Sequence, residues 1–422
     1  MTKYLKFFIA ALLFICFILG NSSAEEVFTW KDCVRQAREN HPDLISAREK
    51  LNQSHSDKAI TKSDALPQIN TEISGKRSKT ATRDEADTYS YSITGKQLLF
   101  DGFKTSADIS AASRNLSAQG YNYAVVSSDI RLNLRNAFST LLRAQELISL
   151  TEEIAKRRKQ NLELVQLRYE AGREHKGALL TAQADLAQAE FEVAQAKRNL
   201  SLAQRQLTKE LGRENFSPVK VKGGFEIADT DSEKCDFEYL ADNTPFLKEL
   251  IAKKEAVRFD LESSKADFFP EVYLNTSAGK TASDWPPEND EWSAGITVSF
   301  PLFEGGSRIA AFEKAKSKLK QAKADERSGR DTVILTLEQT WKNFQDSKDS
   351  VSVKKKFLEA AQERAKIANA QYSTGLISFN DWIIIEDNVV SVKKAYLDTL
   401  ANLLVAEASW IQAKGGTLDY DG

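Results

Sequence analysis

The chain has 422 residues, 58 basic against 60 acidic, a formal net charge of −2, and three cysteines. So even a balance excludes a nucleic-acid footprint, and three cysteines make no disulfide framework. Past the first 24 residues no stretch approaches the ~20 apolar residues of a membrane helix, so any membrane crossing must be made by strands.

Residues 1–24 read as a cleaved secretory signal. Lys3 and Lys6 precede an apolar run from Phe7 to Gly20, and Asn21-Ser22-Ser23-Ala24 supplies small residues before Glu25. A retained N-terminal anchor is the competing reading. Cys16 is rejected as a lipidation site because Ile15 stands where a lipoprotein signal requires a small residue. Cys33 and Cys235 are expected to be two isolated thiols.

Thr29 is a candidate N-cap for a short helix with Trp30, Cys33, Val34 and Ala37 on one face. Asn40-His41-Pro42 ends it, and a second helical stretch runs from Asp43 to Leu66 and stops at Pro67. Two runs of period-two patterning follow, Gln68–Lys79 and Tyr89–Phe100, with a polar loop Thr80–Thr88 between them. After the turn at Asp101-Gly102, residues 104–169 hold no proline and one glycine, Gly120, and are rich in strong helix formers. As one helix this stretch would be about 99 Å long. Gly172 breaks it, and residues 173–212 are again helix-like, with an Ala-rich face from Thr181 that carries little bulk and can only pack closely on other helices.

All of this is then repeated. A shift of 203 residues places Pro42 on Pro245, Pro67 on Pro270, Leu99-Phe100 on Leu302-Phe303, Tyr169 on Tyr372, Gly172 on Gly375 and Gly212 on Gly415. An offset held over nearly the whole chain means tandem duplication with conserved element lengths. The organisation expected is a first repeat over 25–212, a linker over 213–235, a second repeat over 236–415 and a short tail over 416–422. The second repeat has its strand pair within 271–303 and long helices over 307–372 and 376–415. In each repeat the shorter helices, 24 and 40 residues in the first copy, laid end to end approach the 66 residues of the long one. That suits a wall of constant height.

In the strand from Glu291, the apolar residues Trp292, Ala294, Ile296, Val298 and Phe300 alternate with Ser293, Gly295, Thr297 and Ser299. One apolar and one small polar face fit a membrane barrel, apolar toward lipid and polar toward the lumen. Four strands per chain cannot close a barrel. Two chains would give eight strands filled by their own side chains, and three would give twelve with a lumen, so a trimer is favoured.

The opening Phe28-Thr-Trp-Lys-Asp-Cys-Val, the prolines 67 and 270, the turns Leu99-Phe-Asp-Gly-Phe and Leu302-Phe-Glu-Gly-Gly, and the paired Arg168-Tyr-Glu-Ala-Gly and Gln371-Tyr-Ser-Thr-Gly together resemble the outer-membrane efflux protein family of TolC-like channels. The resemblance implies an α+β membrane protein. A long α-helical coiled-coil barrel in the periplasm would be continuous with a transmembrane antiparallel β-barrel in the outer membrane, twelve strands per homotrimer. It implies a passive duct and no enzyme, with no cofactor, metal or nucleic acid. The partners implied are a periplasmic adaptor (a membrane fusion protein), an inner-membrane RND or ABC exporter, and outer-membrane lipid.

It also implies a pore constriction at Asp381, with Tyr372 in the closed-state contacts, and adaptor docking at the tip turns Gly172-Arg173 and Gly375-Leu376. Ile377 and Ile384 stand where TolC carries an arginine and a second aspartate, which removes the residues of one latch and one acidic ring. A periplasmic coiled-coil adaptor or cell-envelope scaffold is the alternative. An adaptor would carry one hairpin between Gly-rich β domains, whereas two hairpins and no such flanks are found. His175 beside Glu174 is read as a solvated tip residue, since no histidine here has metal-site spacing.

Overall fold

A computed structural model describes residues 26–80, 83–227 and 236–419. The proposed leader, Cys235 and the last residues of the tail lie outside them. The first repeat contains β1 (Glu26–Phe28), α1 (Trp30–Asn40), α2 (Pro42–Ser63), β2 (Gln68–Thr80), β3 (Arg83–Phe100), α3 (Lys104–Glu170) and α4 (Lys176–Glu210). After β4 (Val219–Val221) come α5 (Phe237–Asn243), α6 (Pro245–Ala266), β5 (Glu271–Ala282), β6 (Asn289–Ser299), α7 (Ser307–Thr374) and α8 (Phe379–Ala413).

Several boundaries differ from the sequence reading. Most of the polar segment Thr80–Thr88 is strand, because β3 begins at Arg83 and Arg77 grips Asp87 across the ladder at 2.7 Å. β6 stops at Ser299, short of Phe303, just ahead of Pro301, which has no N–H for a ladder. The second hairpin helices start later than residues 173 and 376. His175 and Ser378 cap them, accepting from the backbone N–H of Ala178 and Asp381.

The repeats match in length where it matters: α2 and α6 have 22 residues each, α3 and α7 have 67 and 68, and α4 and α8 have 35 each. Each short pair stacks end to end along its long partner. The C-terminus of α4 meets the N-terminus of α2 at Gly212, where a Cβ would lie 2.3 Å from the Asn40 carbonyl. The C-terminus of α8 meets α6 at Gly415, where a Cβ would lie 2.3 Å from Pro245. Both glycines hold positive φ, +71° and +82°, so each joint needs glycine twice over.

Helix contacts order the wall as α2–α3–α6–α7 above the joints and α4–α3–α8–α7 below them. Within the first hairpin the buried seam is nearly side-chain-free: Ala182, Ala189, Ala196 and Ala203 of α4 recur every seven residues. The described part of the linker, 213–227, lies beside the joints. β4 pairs in parallel with β1, and Gln145 of α3 clamps Val221 through both its N–H and its carbonyl, each at 2.9 Å. Beneath them Trp30, Cys33, Leu134, Phe138, Leu207 and Val219 share one core cluster. Burial pushes the Cys33 thiol up to about 12.

Candidate functional site

The four-stranded antiparallel sheet has the order β2-β3-β5-β6. Its register lines up two uniform faces. Ile69 faces Gly95, Ile93 faces Ala278, Ala278 faces Trp292, Leu274 faces Ile296 and Val272 faces Val298. Those residues form an apolar face, and Trp292 on it is 79% exposed. The opposite face carries Ser74 bonded to Ser90 at 2.8 Å, Asn275 donating to Thr297 at 2.9 Å, and Lys96 seated 3.9 Å over the Tyr273 ring. Among the described residues no helix is long and apolar enough to cross a membrane.

At the other end of the helices the two hairpin turns come together. Gly172 and Gly375 close them at φ +68° and +83°, and Arg173 and Leu376 follow in the exposed turns. The backbone N–H groups of Arg173 and Leu376 reach back to the carbonyls of Arg168 and Gln371 at 2.8 Å, which satisfies helix-end carbonyls. Tyr372 lies at the centre and is 0% exposed. Its ring stacks on Trp382 at 4.2 Å and 7°, the Arg168 guanidinium sits 4.6 Å over it, and its hydroxyl donates to Glu174 at 2.9 Å. Arg168 also donates to the Tyr372 carbonyl at 2.8 Å. Burial, then the Glu174 carboxylate, pushes the tyrosine hydroxyl well above its ordinary range, so it stays a donor. Tyr372 thus joins the two hairpins of its own chain and has no surface of its own. Asp381 is exposed in the first turn of α8, where Ser378 donates to its carboxylate at 2.7 Å.

The two hairpins meet along α3 and α8, where a row of ion pairs runs beside the apolar contacts. Arg143 pairs with Asp398 at 2.6 Å, Lys393 with Glu153 at 2.7 Å, and Arg135 with Glu407 at 3.4 Å. Nearer the tip Arg157 binds both oxygens of Glu386 at 2.6 Å, Asn161 donates to it at 3.4 Å, and Arg158 pairs with Asp387. Glu386 is 1% exposed. Its hydrogen bonds raise the Arg157 guanidinium above its ordinary value. Desolvation raises the neighbouring Asp185 carboxyl above its ordinary value.

Sequence reasoning missed Glu174, Arg157 and Glu386 as partners. The one signal for Glu386 was a carboxylate directly after three isoleucines, 383–385. His175 is exposed, as read, but it also caps α4.

A sheet apolar on one side and polar on the other, continuous with a helical curtain whose far end is drawn together, defines the wall of an outer-membrane channel. The family model for outer membrane efflux proteins matches residues 33–213 and 238–416. The chain belongs to that family: outer-membrane transport channels with a periplasmic helical tunnel, and not enzymes.

Among curated relatives it is similar to the outer membrane efflux protein BepC of Brucella suis, 23% identical over 96% of this chain and 89% of BepC. It is 22% identical to the cation efflux system protein CusC of Escherichia coli, over 92% and 85% of the two chains. It is 23% identical to the alkaline protease secretion protein AprF of Pseudomonas aeruginosa, over 75% and 69%. Among solved structures it matches CusC with a TM-score of 0.83 over 92% of both chains, at 19% identity. It matches VceC of Vibrio cholerae with a TM-score of 0.81 over 92% and 97%, at 18% identity.

Proposed function

We propose that three copies of this chain close into one passive duct, with twelve strands in the outer membrane and a ring of twelve helices below. Substrates would pass through it from an inner-membrane exporter and a periplasmic adaptor. The observation that carries this is the open-edged curtain. β2 and β6 are unpaired at opposite edges of the sheet, and α4 and α7 stand at the matching edges of the helical wall. Unpaired strand edges are not tolerated in lipid, and the two edges differ, so a copy closes against the next one head to tail and generates a ring. Phe191 and Leu202 on α4, and Val353 and Phe357 on α7, are exposed in one copy and would be buried in such contacts. Twelve strands leave a lumen, whereas eight would fill with side chains.

In this duct Asp381 from each copy rings the constriction, Tyr372 holds the closed tip together by its bond to Glu174, and the turns at Gly172-Arg173 and Gly375-Leu376 meet the adaptor. Relatives named for cation efflux and for protease secretion support a duct that serves either kind of export, with an RND pump or an ABC exporter as the partner. The test is the mass of the purified protein in detergent together with its conductance in planar bilayers. Three chains per particle and discrete channels are expected, and Asp381→Ala is expected to raise conductance and weaken block by trivalent cations. A protein that is monomeric and soluble without detergent sinks the duct. Unchanged conductance and block remove Asp381 from the constriction.

A further inference from the structure

We infer that the outward face of the barrel carries a binding belt for the phosphorylated glycolipid of the outer leaflet, formed by the cross-strand pairs Arg77–Asp87 and Lys280–Asp290. This rests on the duct proposed above, in which the apolar face of the sheet meets lipid. The two pairs are one feature written twice. The 203-residue offset carries Arg77 onto Lys280 and Asp87 onto Asp290, so a base and an acid recur in equivalent places of the two hairpins. Each base stands directly opposite its acid in the ladder, Arg77 at 2.7 Å and Lys280 at 3.3 Å. Side chains alternate between faces along a strand. Arg77 therefore shares the apolar face with Ile69 and Ile73, and Lys280 shares it with Val272 and Leu274. The strand order β2-β3-β5-β6 makes the charges run base, acid, base, acid across the sheet.

The level of the belt follows from strand geometry. From Ile69 to Arg77, and from Val272 to Lys280, the strand rises about 27 Å, or about 21 Å along the barrel axis at the usual tilt. An apolar band of about 25 Å therefore ends at these pairs, where a base is nearly free of the penalty it would carry at mid-membrane. Aromatic rings mark the same level. Tyr89 and Trp292, themselves equivalent, follow Asp87 and Asp290 by two positions, and Trp285 of the β5–β6 turn stands edge-on to Tyr89 at 6.3 Å. The helices leave from the opposite ends of the strands, so this boundary faces the outer leaflet. That leaflet is built of a glycolipid whose sugar phosphates are cross-linked by divalent cations. A plain basic patch would suit any anionic phospholipid, whereas alternating base and acid suits a lattice of phosphates and divalent ions. Asp87 takes two of the Arg77 donors, and the guanidinium, 69% exposed, keeps the others for phosphate. Lys280 and the open carboxylate of Asp290, 84% exposed, form a looser pair that meets a phosphate and the divalent ion it carries.

The test is native mass spectrometry of the full-length channel in detergent, titrated with diphosphoryl lipid A and magnesium ions or with phosphatidylglycerol, and read as lipid bound per particle. Wild type is expected to prefer lipid A and to release most of it on chelation of the magnesium. Arg77→Gln with Lys280→Gln is expected to weaken lipid A binding about fivefold, the size of effect that one base near a charged lipid surface carries, with conductance unchanged. Lys76→Gln removes a base from the same strand on the lumen face and is expected to bind as wild type does. Lys280→Gln alone, at the more exposed pair, is expected to lower the lipid A bound about twofold and serves where the double variant fails to fold. Equal binding of the two lipids by wild type, equal lipid A binding by wild type and the Arg77 and Lys280 variants, or an equal loss in Lys76→Gln overturns the belt alone. A wild type that is monomeric and soluble without detergent overturns the duct, and the belt with it.

Discussion

At the residue scale, Tyr169 and Tyr372 show how far one chain read twice can be trusted. The duplication sets them in equivalent places, yet Tyr169 is partly exposed and Tyr372 is sealed between the hairpins. The difference arises from residues the repeat does not share. Glu174 offers an acceptor opposite Ile377 of the second copy, and Trp382 offers a flat ring against which Tyr372 stacks. Tyr372→Phe keeps the stacking but removes the hydroxyl that donates to Glu174 Oε2. It is expected to cost about 1 kcal/mol of stability, read as a lower thermal midpoint, and to raise basal conductance. A variant with both quantities unchanged would reduce the hydroxyl to a bystander. Cys33 is the opposite case. Too few cysteines for a disulfide framework, and the non-equivalent places of Cys33 and Cys235 in the repeats, led to the expectation of an isolated thiol, and Cys33 is free and buried.

At the element scale, helix lengths and breaks were legible because propensity, proline and glycine act locally. What the lengths meant was decided at the joints. Gly172 and Gly212 both hold φ near +70°, but a Cβ on Gly172 meets nothing within 4 Å and one on Gly212 meets the Asn40 backbone. Gly172→Ala should therefore cost only left-handed strain, about 1–2 kcal/mol. Gly212→Ala adds a backbone collision that must push the stacked helices apart, for a total of about 3–4 kcal/mol. Helical melting by far-UV circular dichroism checks the order, and equal midpoints for the two variants would show that α2 and α4 do not bear on each other.

At the scale of the whole molecule, the two faces of the sheet have opposite tolerances. Ile296→Lys puts a charge on the lipid side and should cost about 2–4 kcal/mol, with a matching loss of folded protein in the outer-membrane fraction. Thr297→Lys, one residue on and facing the polar side, should assemble normally. Equal losses for both would mean that the assignment of faces is reversed or immaterial. The amino-acid sequence by itself determined the duplication, the approximate element lengths and the strand faces, because the 203-residue offset, the helix breaks and the local periodicities are each read directly along the chain. Only the tertiary structure decided which of the paired residues meet: the head-to-tail joints, the burial of Tyr372, and the Arg157–Glu386 pair between residues 229 positions apart. Contacts at that separation leave no local period, and their partners are chosen by how rigid helices lie against one another.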